Sequence, residues 1–335
     1  MAVWFSRINL LTLLLCFVVV VFGAYVRLSD AGLGCPDWPG CYGHVGVPET
    51  DHAVAAAEAR YPHRPVEAHK AWKEMIHRYI ASTLGFLIVL MAFLSLRHTR
   101  DSGLPRVLPW VLVGLVIFQG ILGMWTVTWQ LKPLAVTGHL LGGMSTFSLL
   151  LWMFLSVRAR QIAADARPAV PTPRARTFAA IGLMLLVAQI FLGGWTSTNY
   201  AALACPDFPT CQSHYWPELD VSTAFTLWHG LGINYEYGIL DNTARVTIHF
   251  FHRLGAIVVT TVMLLLGGWL LTRPEKQWKP YGVAVLAALL VQVSIGISVV
   301  ILHLPLALAA AHNAGAAVLL GVLVALNHRA WWLRS

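Results

Sequence analysis

Eight long apolar stretches alternate with polar segments along the chain. They lie near residues 8–27, 75–96, 109–129, 134–156, 177–197, 246–271, 281–302 and 306–326. Each is at least as long as the roughly 20 residues that a helix needs to cross a bilayer. In hydrocarbon, helices are favoured because each backbone amide is satisfied within its own segment. The pattern therefore predicts an all-α membrane protein with eight transmembrane helices.

The composition agrees with this pattern. Of the 335 residues, 57% are hydrophobic and 11% are charged, whereas soluble domains are roughly 25% charged. Together with a mean hydropathy of +0.66, these values exclude a disordered chain, a secreted disulfide miniprotein and an ordinary cytosolic enzyme.

The basic residues are distributed unequally between the segments that connect the spans. Alternate segments, including both ends of the chain, carry 14 of the 23 Lys and Arg residues but only 3 of the 15 Asp and Glu residues. By the positive-inside rule, these segments and both termini are predicted to be cytoplasmic. The net charge of +8 is then an orientation signal, and no nucleic-acid partner is expected.

The beginning of the chain favours a bacterial plasma membrane. Seven residues precede the first apolar stretch, which is too few for a mitochondrial transit sequence. The stretch itself lacks an obvious small-residue cleavage site before Tyr25. It is therefore interpreted as an anchor and not as a signal peptide.

Several landmarks occur twice, in the same order, at offsets of 170–175 residues. The repeated landmarks are Cys35 to Cys41 and Cys205 to Cys211, His77-Arg78 and His252-Arg253, and His139 and His312. An Arg- and Pro-rich linker at 157–176 separates an N-terminal half at 1–156 from a C-terminal half at 177–335. The repeat predicts two tandem four-helix bundles related by a pseudo-twofold axis along the membrane normal.

The second, fourth, sixth and eighth spans each carry a histidine near the predicted outer surface. These residues are His77, His139, His252 and His312. Ionisable groups at such depth are costly and indicate function, although hydrogen bonding between helices is the alternative. A zinc site needs Cys or carboxylate ligands at the same level, and none is evident. A porphyrin between two axial imidazoles fits the pattern, so each half is predicted to hold a haem.

An arginine follows the first histidine of each half directly. Arg78 and Arg253 lie near the predicted outer surface, where a guanidinium can hold a haem propionate through paired hydrogen bonds. A cation that snorkels to the lipid headgroups is the alternative.

One position differs between the halves in a way that bears on chemistry. Glu74 lies three residues before His77 and shares its helical face, whereas His249 takes the equivalent position before His252. This difference suggests that one haem site does chemistry, with Glu74 as its carboxylate, and that the other carries electrons. The alternative is an interfacial ion pair of Glu74 with a neighbouring cation, namely Lys70, Lys73 or Arg78.

Four of the five cysteines form two C-x5-C pairs in predicted outer loops, an oxidising setting where disulfides are expected. The predicted bonds are Cys35–Cys41 and Cys205–Cys211, with Cys16 as a small core residue. A purely structural role for these disulfides and thiol–disulfide exchange with a partner both remain open.

Three glutamines precede a glycine by four residues: Gln119, Gln189 and Gln292. They are predicted to form contacts between helices and are assigned no part in a reaction.

Taken together, these motifs resemble the haem A synthase family over the whole chain. The resemblance rests on the E-x-x-H-R pattern of residues 74–78, on His139, His252 and His312, and on the C-P-D-W-P-G-C loop. It implies that the N-terminal half binds the substrate haem O near His77 and His139. It also implies that the C-terminal half binds a haem b cofactor through His252 and His312.

The same resemblance implies the reaction. Glu74 is the expected catalytic residue, and a methyl group of haem O is oxidised to the formyl group of haem A by successive hydroxylations, with water as the oxygen source. Electrons leave through haem b. Haem O synthase, cytochrome oxidase assembly and membrane lipid are the implied partners, and a homo-oligomer stays open. The outer segment 44–70 is longer than the family's loop.

Other functions remain open from the residues alone. A two-haem b-type electron carrier without catalysis would use both histidine pairs but would not need Glu74. A haem transporter would bind an unmodified porphyrin, but no span is interrupted by Gly and Pro as transporter helices are. A thiol oxidase built on the C-x5-C rings leaves the histidines unexplained.

Overall fold

The computed structural model describes residues 2–96, 105–162 and 173–332. Its α-helices are α1 Ala2–Leu28, α2 Asp51–Arg60, α3 Ala68–Leu96, α4 Leu108–Thr128, α5 Pro133–Ile162, α6 Pro173–Thr198, α7 Val221–Ala224, α8 Asn242–Thr272, α9 Lys279–Ile301 and α10 Leu306–Trp332. Within these described ranges, eight helices are long and apolar enough to cross a membrane, namely all except α2 and α7. The predicted all-α, multi-pass architecture is thereby confirmed.

Several spanning helices begin four to seven residues earlier than the hydropathy pattern predicts. They start at Ala2 (α1), Ala68 (α3), Pro173 (α6) and Asn242 (α8), whereas the apolar stretches begin near residues 8, 75, 177 and 246. The pattern marks where the side chains become apolar, but a helix can continue into polar surroundings beyond that point. The short helix α2 has no apolar signal, and its N-terminus is capped by Thr50, whose hydroxyl accepts the N–H of Ala53.

The linker predicted at 157–176 is shorter in the structure. Helix α5 continues to Ile162 and α6 begins at Pro173, while residues 163–172 lie outside the described part of the chain. Several charged residues behind the orientation prediction also lie outside it, namely Arg97, Arg100, Asp101, Asp165, Arg167 and Arg334. The orientation of the termini therefore stays a prediction.

The spanning helices pack as two groups of four. In the first half, α1 contacts α3 and α5, and α4 contacts the same two helices. In the second half, α6 and α9 each contact α8 and α10. Consequently α3 and α5 stand on opposite corners of one group, and α8 and α10 on opposite corners of the other. These are the four helices that carry the predicted histidine ligands. The pseudo-twofold relation between the halves stays a prediction.

The halves join through α1, α5, α6 and α10, since α10 packs on α1 and α5 and α5 packs on α6. Apolar residues of both halves share one core, to which Met144 of α5 and Leu320 of α10 both belong. Near one end of the bundle, Ser156 Oγ and His328 Nε2 lie 3.0 Å apart in a buried contact. At the other end, Arg27 donates to the backbone carbonyl of Ser197 over 3.1 Å.

Two long loops cover the same end of the bundle. The first loop, residues 29–67, precedes α3, and the second loop, residues 199–241, precedes α8. The second loop reaches across to the first half, where Tyr235 donates its backbone N–H to the carbonyl of Gln130 over 3.0 Å. Arg64 of the first loop also pairs with Glu236 of the second, with 3.0 Å between Nη2 and Oε2.

Candidate functional site

The predicted histidines lie inside the two groups of helices. In the second half, the imidazole centroids of His252 and His312 are 6.5 Å apart, and the ring planes make an angle of 84°. A metal bonded at about 2 Å to one nitrogen of each ring requires roughly this separation. In the first half, His77 and His139 lie near enough for their charges to interact. The second pair therefore has a spacing at which both rings could bind one metal.

Each of these imidazoles packs against a glycine of the long helix that precedes its own. The contacts are Gly23 with His77, Gly123 with His139, Gly193 with His252 and Gly296 with His312. A Cβ atom added at Gly23 or Gly296 would come within 2.8 Å of the imidazole Cε1, closer than real Cβ atoms approach. Because glycine has no side chain, the imidazole rings can lie directly against the helix backbone at these positions.

The imidazole nitrogens have unused hydrogen-bonding capacity. Among the described residues, Nδ1 of His77, His139 and His312 is buried without a partner, although each of these residues as a whole is half-buried. Unpartnered buried nitrogens are costly and call for an explanation. The described residues contain no group of three or more His, Cys, Asp or Glu side chains that could hold a bare metal ion. A metal with its own equatorial ligands, as in a haem, fits this donor set.

Glu74 is the buried carboxylate nearest to these histidines in the sequence, and it is 5% exposed. Its Oε2 accepts the backbone N–H of Cys35 over 2.9 Å, and its Oε1 pairs with Nη2 of Arg78 over 2.5 Å. The ion pair that the sequence offered as an alternative is therefore formed with Arg78, whereas Lys70 pairs with Glu67. The carboxylate is therefore fixed from two sides, between the helix that carries His77 and the first disulfide loop.

In the second half, a histidine replaces the carboxylate of this arrangement. His249, which takes the position of Glu74, lies with Nδ1 3.0 Å from the backbone carbonyl oxygen of Ala201. Arg253 donates to the carbonyls of Cys205 and Thr210 over 2.8 and 2.7 Å. The difference that the sequence predicted between the halves is thus also a difference in hydrogen bonding.

Both arginines bind the C-x5-C loops. Arg78 donates to the carbonyls of Asp37, Pro39 and Gly40, as Arg253 does to its own loop. Contact with a haem propionate stays a prediction. Within the described residues, Nε of Arg253 is buried without a partner, so this guanidinium keeps one N–H group for a further acceptor.

The two loops have the same internal structure. The predicted disulfides Cys35–Cys41 and Cys205–Cys211 are formed. In the first loop, the carboxylate of Asp37 accepts the N–H groups of Tyr42 and Gly43, both over 2.7 Å. In the second loop, Asp207 accepts those of Gln212 and Ser213. The hydrogen bonds of Asp207, first that from the Thr210 hydroxyl, lower its pKa to about 2. Each aspartate therefore stabilises the turn that closes its ring.

Sequence reasoning missed the contacts between histidines and glycines. Gly123, Gly193 and Gly296 were marked only as the partners of glutamines in the sequence, and Gly23 was not marked at all. The recurrence of a glycine in each helix before a histidine was an available signal for the first three. Gly23 has no glutamine four residues before it, since Val19 stands there, and this departure concealed it.

These features define a class of protein, namely a multi-pass membrane protein with a histidine pair inside each group of four helices. In each half, a loop closed by a disulfide precedes the first helix that carries a histidine of the pair. The sequence profile of the family described as cytochrome oxidase assembly protein (COX15-CtaA) matches residues 6–324. Because the match covers nearly the whole chain, the chain belongs to this family.

Curated relatives confirm the family that the motifs resemble. The chain is 47% identical over 328 residues to a protein of Shewanella oneidensis named heme A synthase, covering 98% of this chain and 96% of that protein. It is 28% identical to the heme A synthase of Allorhizobium ampelinum over 94% of this chain and 87% of that protein. It is 27% identical to the heme A synthase of Alkalihalophilus pseudofirmus, over 84% and 82% respectively.

Proposed function

We propose that this protein is a haem A synthase, an enzyme that oxidises a methyl group of haem O to the formyl group of haem A. The observation that carries the proposal concerns the two histidine sites: among the described residues, a buried carboxylate, Glu74, precedes His77 by three positions, whereas His249 precedes His252 by three. The names of the full-length relatives support the same function.

The N-terminal half is the proposed substrate site. His77 and His139 lie on opposite corners of their helix group and bind the iron of haem O from its two faces. The contacts with Gly23 and Gly123 hold the rings within the bundle. Arg78 and the first disulfide loop lie next to Glu74, so the loop positions the carboxylate relative to the bound substrate.

The C-terminal half is the proposed cofactor site. His252 and His312 hold haem b there, and Gly193 and Gly296 make space for their rings. When bound, haem b supplies a one-electron redox centre. His249 occupies the position that Glu74 takes in the N-terminal half. A site without this carboxylate is suited to electron transfer and not to chemistry on a substrate.

The reaction itself assigns a role to Glu74. Conversion of a methyl to a formyl group with water as the oxygen source releases four electrons and four protons, so positive charge develops on the substrate as electrons leave. A carboxylate stabilises this charge best when it is already oriented. The hydrogen bonds from Cys35 and Arg78 provide that orientation, and burial excludes bulk water from Glu74.

The location and partners follow from the same proposal. The chain lies in the bacterial plasma membrane with both termini cytoplasmic, so the disulfide loops face the oxidising outer side. Haem O is the substrate, and an enzyme that makes haem O is the expected supplier. Cytochrome oxidase assembly uses the product, in agreement with the family's description.

Pigment analysis of the purified protein tests the proposal. Porphyrins extracted from the detergent-solubilised protein are identified by mass spectrometry. We expect haem b together with haem O, a hydroxylated haem or haem A. His312→Ala should lose haem b selectively, whereas His139→Ala should lose the other porphyrins selectively. Haem b as the sole pigment, lost in equal measure from both variants, would instead support a two-haem electron carrier.

A further inference from the structure

Two cations lie one helical turn beyond the contact between Gly23 and His77, towards the end of the bundle that the two long loops cover. Arg27 follows Gly23 by four residues on α1, and Lys73 precedes His77 by four residues on α3. Four residues of helix correspond to about 6 Å along its axis. Since α1 leads into the first loop and α3 leads out of it, and the two helices pack together, both residues lie at about the same level.

The guanidinium of Arg27 is held in place by the other half of the protein. Its Nη2 donates to the backbone carbonyl of Ser197 over 3.1 Å, and its Cζ lies 4.2 Å from the ring centroid of Tyr200. Its Nε is buried and has no hydrogen-bond partner among the described residues. A planar guanidinium binds carboxylates through such N–H groups. Arg27 is therefore fixed in position and keeps a donor for a further acceptor.

Lys73 lies beside aromatic residues that lead to His77. Its Nζ is 5.4 Å from the ring centroid of Tyr25. The ring of Phe22 stacks on that of Tyr25 at 5.8 Å and lies 6.4 Å from the imidazole of His77. Of the ion pairs in the described part of the chain, none involves Lys73 or Arg27. Both positive charges thus lack a carboxylate partner within that part.

The second half has neutral residues at both positions. At the offset of 170 that relates the two disulfide loops, Arg27 corresponds to Ser197. At the offset of 175 that relates the first histidines of the two halves, Lys73 corresponds to Ile248. The pair of cations is therefore a feature of the N-terminal half, which is the proposed substrate site, and not of the repeated scaffold.

We infer that Arg27 and Lys73 bind the propionate carboxylates of the substrate porphyrin. The inference rests on the proposed function, because it assumes a porphyrin in the N-terminal half. The neighbouring Arg78 already pairs with Glu74 and donates to carbonyls of the first disulfide loop. A porphyrin anchored by its carboxylates cannot rotate about the axis that joins its two imidazole ligands. The same edge of the ring therefore stays near the loop-covered end, where Glu74 lies.

A neutral derivative of the substrate isolates the contribution of its carboxylates. Wild type, Arg27→Gln and Lys73→Met are made as full-length proteins in cells that lack haem O and are purified in detergent. Each is titrated with haem O and with haem O dimethyl ester, in which both propionates are uncharged, and binding is followed by absorbance. Lys70→Met is the matched control, because Lys70 lies on the same helix and pairs with Glu67.

We expect Arg27→Gln to bind haem O about tenfold more weakly, the effect of one lost charged hydrogen bond. Lys73→Met should bind it about threefold more weakly, because an ammonium near the surface is partly screened. Both differences should shrink as the salt concentration rises. The dimethyl ester should bind wild type and both variants equally, and Lys70→Met should bind each ligand as wild type does. Haem b content, which reports on folding, should not change.

If Arg27→Gln loses haem b and therefore does not fold, Lys73→Met provides the test. Equal affinities for haem O in wild type and both variants would contradict the inference. So would an equal loss of haem O and of its ester, which would limit Arg27 to holding α6 through Ser197. A wild-type protein that binds haem b but not haem O would contradict the proposed function, and the role of the two cations with it.

Discussion

The backbone N–H of Cys35 donates a 2.9 Å hydrogen bond to Oε2 of Glu74, which joins the first disulfide loop to the buried carboxylate. Arg78 links the same two elements, because it pairs with Oε1 of Glu74 and donates to carbonyls of the loop. The position of the carboxylate therefore depends on the loop, and the position of the loop depends on the carboxylate.

Substitution of Glu74 separates these roles. Glu74→Ala removes both the charge and the acceptor for Cys35, so we expect no haem A and accumulation of haem O or a hydroxylated haem. Glu74→Gln keeps an acceptor for Cys35 but removes the charge, and we expect it to retain the loop structure without activity. Porphyrin extraction with mass spectrometry measures the products, and hydrogen exchange of residues 35–41 measures the loop.

His249→Ala is the matched control, because His249 takes the place of Glu74 in the other half and contacts a backbone carbonyl. We expect this variant to continue to make haem A. Production of haem A by both Glu74 variants at the wild-type rate would contradict a catalytic role and favour an electron carrier.

The glycine contacts predict a difference between two conservative substitutions in the substrate half. A Cβ atom at position 23 would lie 2.8 Å from Cε1 of His77, but one at position 123 would lie 3.5 Å from Cε1 of His139, an ordinary contact. Gly23→Ala should therefore displace His77 and reduce the amount of haem O bound, at a cost of about 1–3 kcal/mol for overpacking. Gly123→Ala should bind haem O nearly as wild type does.

The ratio of substrate porphyrin to haem b in the purified variants measures this effect, since haem b in the other half provides an internal standard. Equal loss from both alanine variants would show that helix packing in general, and not the approach of Gly23 to His77, is responsible.

The spans and the histidine pairs were predictable because each depends on local chemistry. An apolar stretch of the length of a bilayer has one stable conformation, and an imidazole such as His252 within it is costly enough to indicate function. The repeat then showed that the two histidines of the first half, His77 and His139, recur in the second half as His252 and His312. The extension of α3 back to Ala68 was not predictable from hydropathy, because polar residues form helices equally well outside the hydrocarbon.

The contacts between halves and across helices were not predictable. That Gly296 faces His312 depends on how α9 and α10 pack, so the recurrent glycine marks a candidate position in the sequence but does not establish the contact. Likewise the sequence did not reveal that Arg78 donates to the carbonyls of the loop, and its contact with a propionate stays a prediction. The acceptor of a buried arginine depends on the path of the backbone around it, and the sequence alone does not give that path.

Lys132 shows how one buried cation fastens the second loop to the first half. It is 1% exposed, its Nζ lies 3.0 Å from the ring centroid of Trp228, and it donates to the carbonyl of Gly230. Burial lowers the pKa of its ammonium group. We expect Lys132→Met to weaken the attachment of the loop by about 1–2 kcal/mol, since a cation–π contact and a charged hydrogen bond are both lost.

Hydrogen exchange of residues 225–240 in the detergent-solubilised protein measures this attachment, and it should become faster in Lys132→Met. Lys70→Met is the control, because Lys70 pairs with Glu67 within its own half at the surface. Exchange in 225–240 that is as slow in the Lys132 variant as in wild type would mean that other contacts, such as Arg64 with Glu236, hold the loop.

Asp207 makes the second disulfide ring sensitive to acid. The hydroxyl of Thr210 and the N–H groups of Ser213 and Gln212 donate to its carboxylate and lower its pKa to about 2, compared with about 3.9 in an unfolded chain. Because the folded value is depressed, the contribution to loop stability is complete above about pH 4 and is lost as the pH falls towards 2.

Reduction of the ring by a water-soluble phosphine, followed by mass spectrometry, tests this dependence. The Cys205–Cys211 bond should be reduced faster as the pH falls from 4 to 2, after correction for the reductant's own pH profile on a model disulfide. In Asp207→Asn, the Cys205–Cys211 bond should be reduced several-fold faster than in wild type at pH 7, because an amide accepts these hydrogen bonds more weakly. The acceleration between pH 4 and 2 should be largely removed, because an amide does not titrate.

Asp37→Asn is the matched control, since it alters the equivalent turn around Cys35–Cys41 and should leave the second ring unaffected. Equal reduction rates of Cys205–Cys211 in wild type and Asp207→Asn across this range would mean that the covalent ring alone, without its aspartate, determines the stability of the loop.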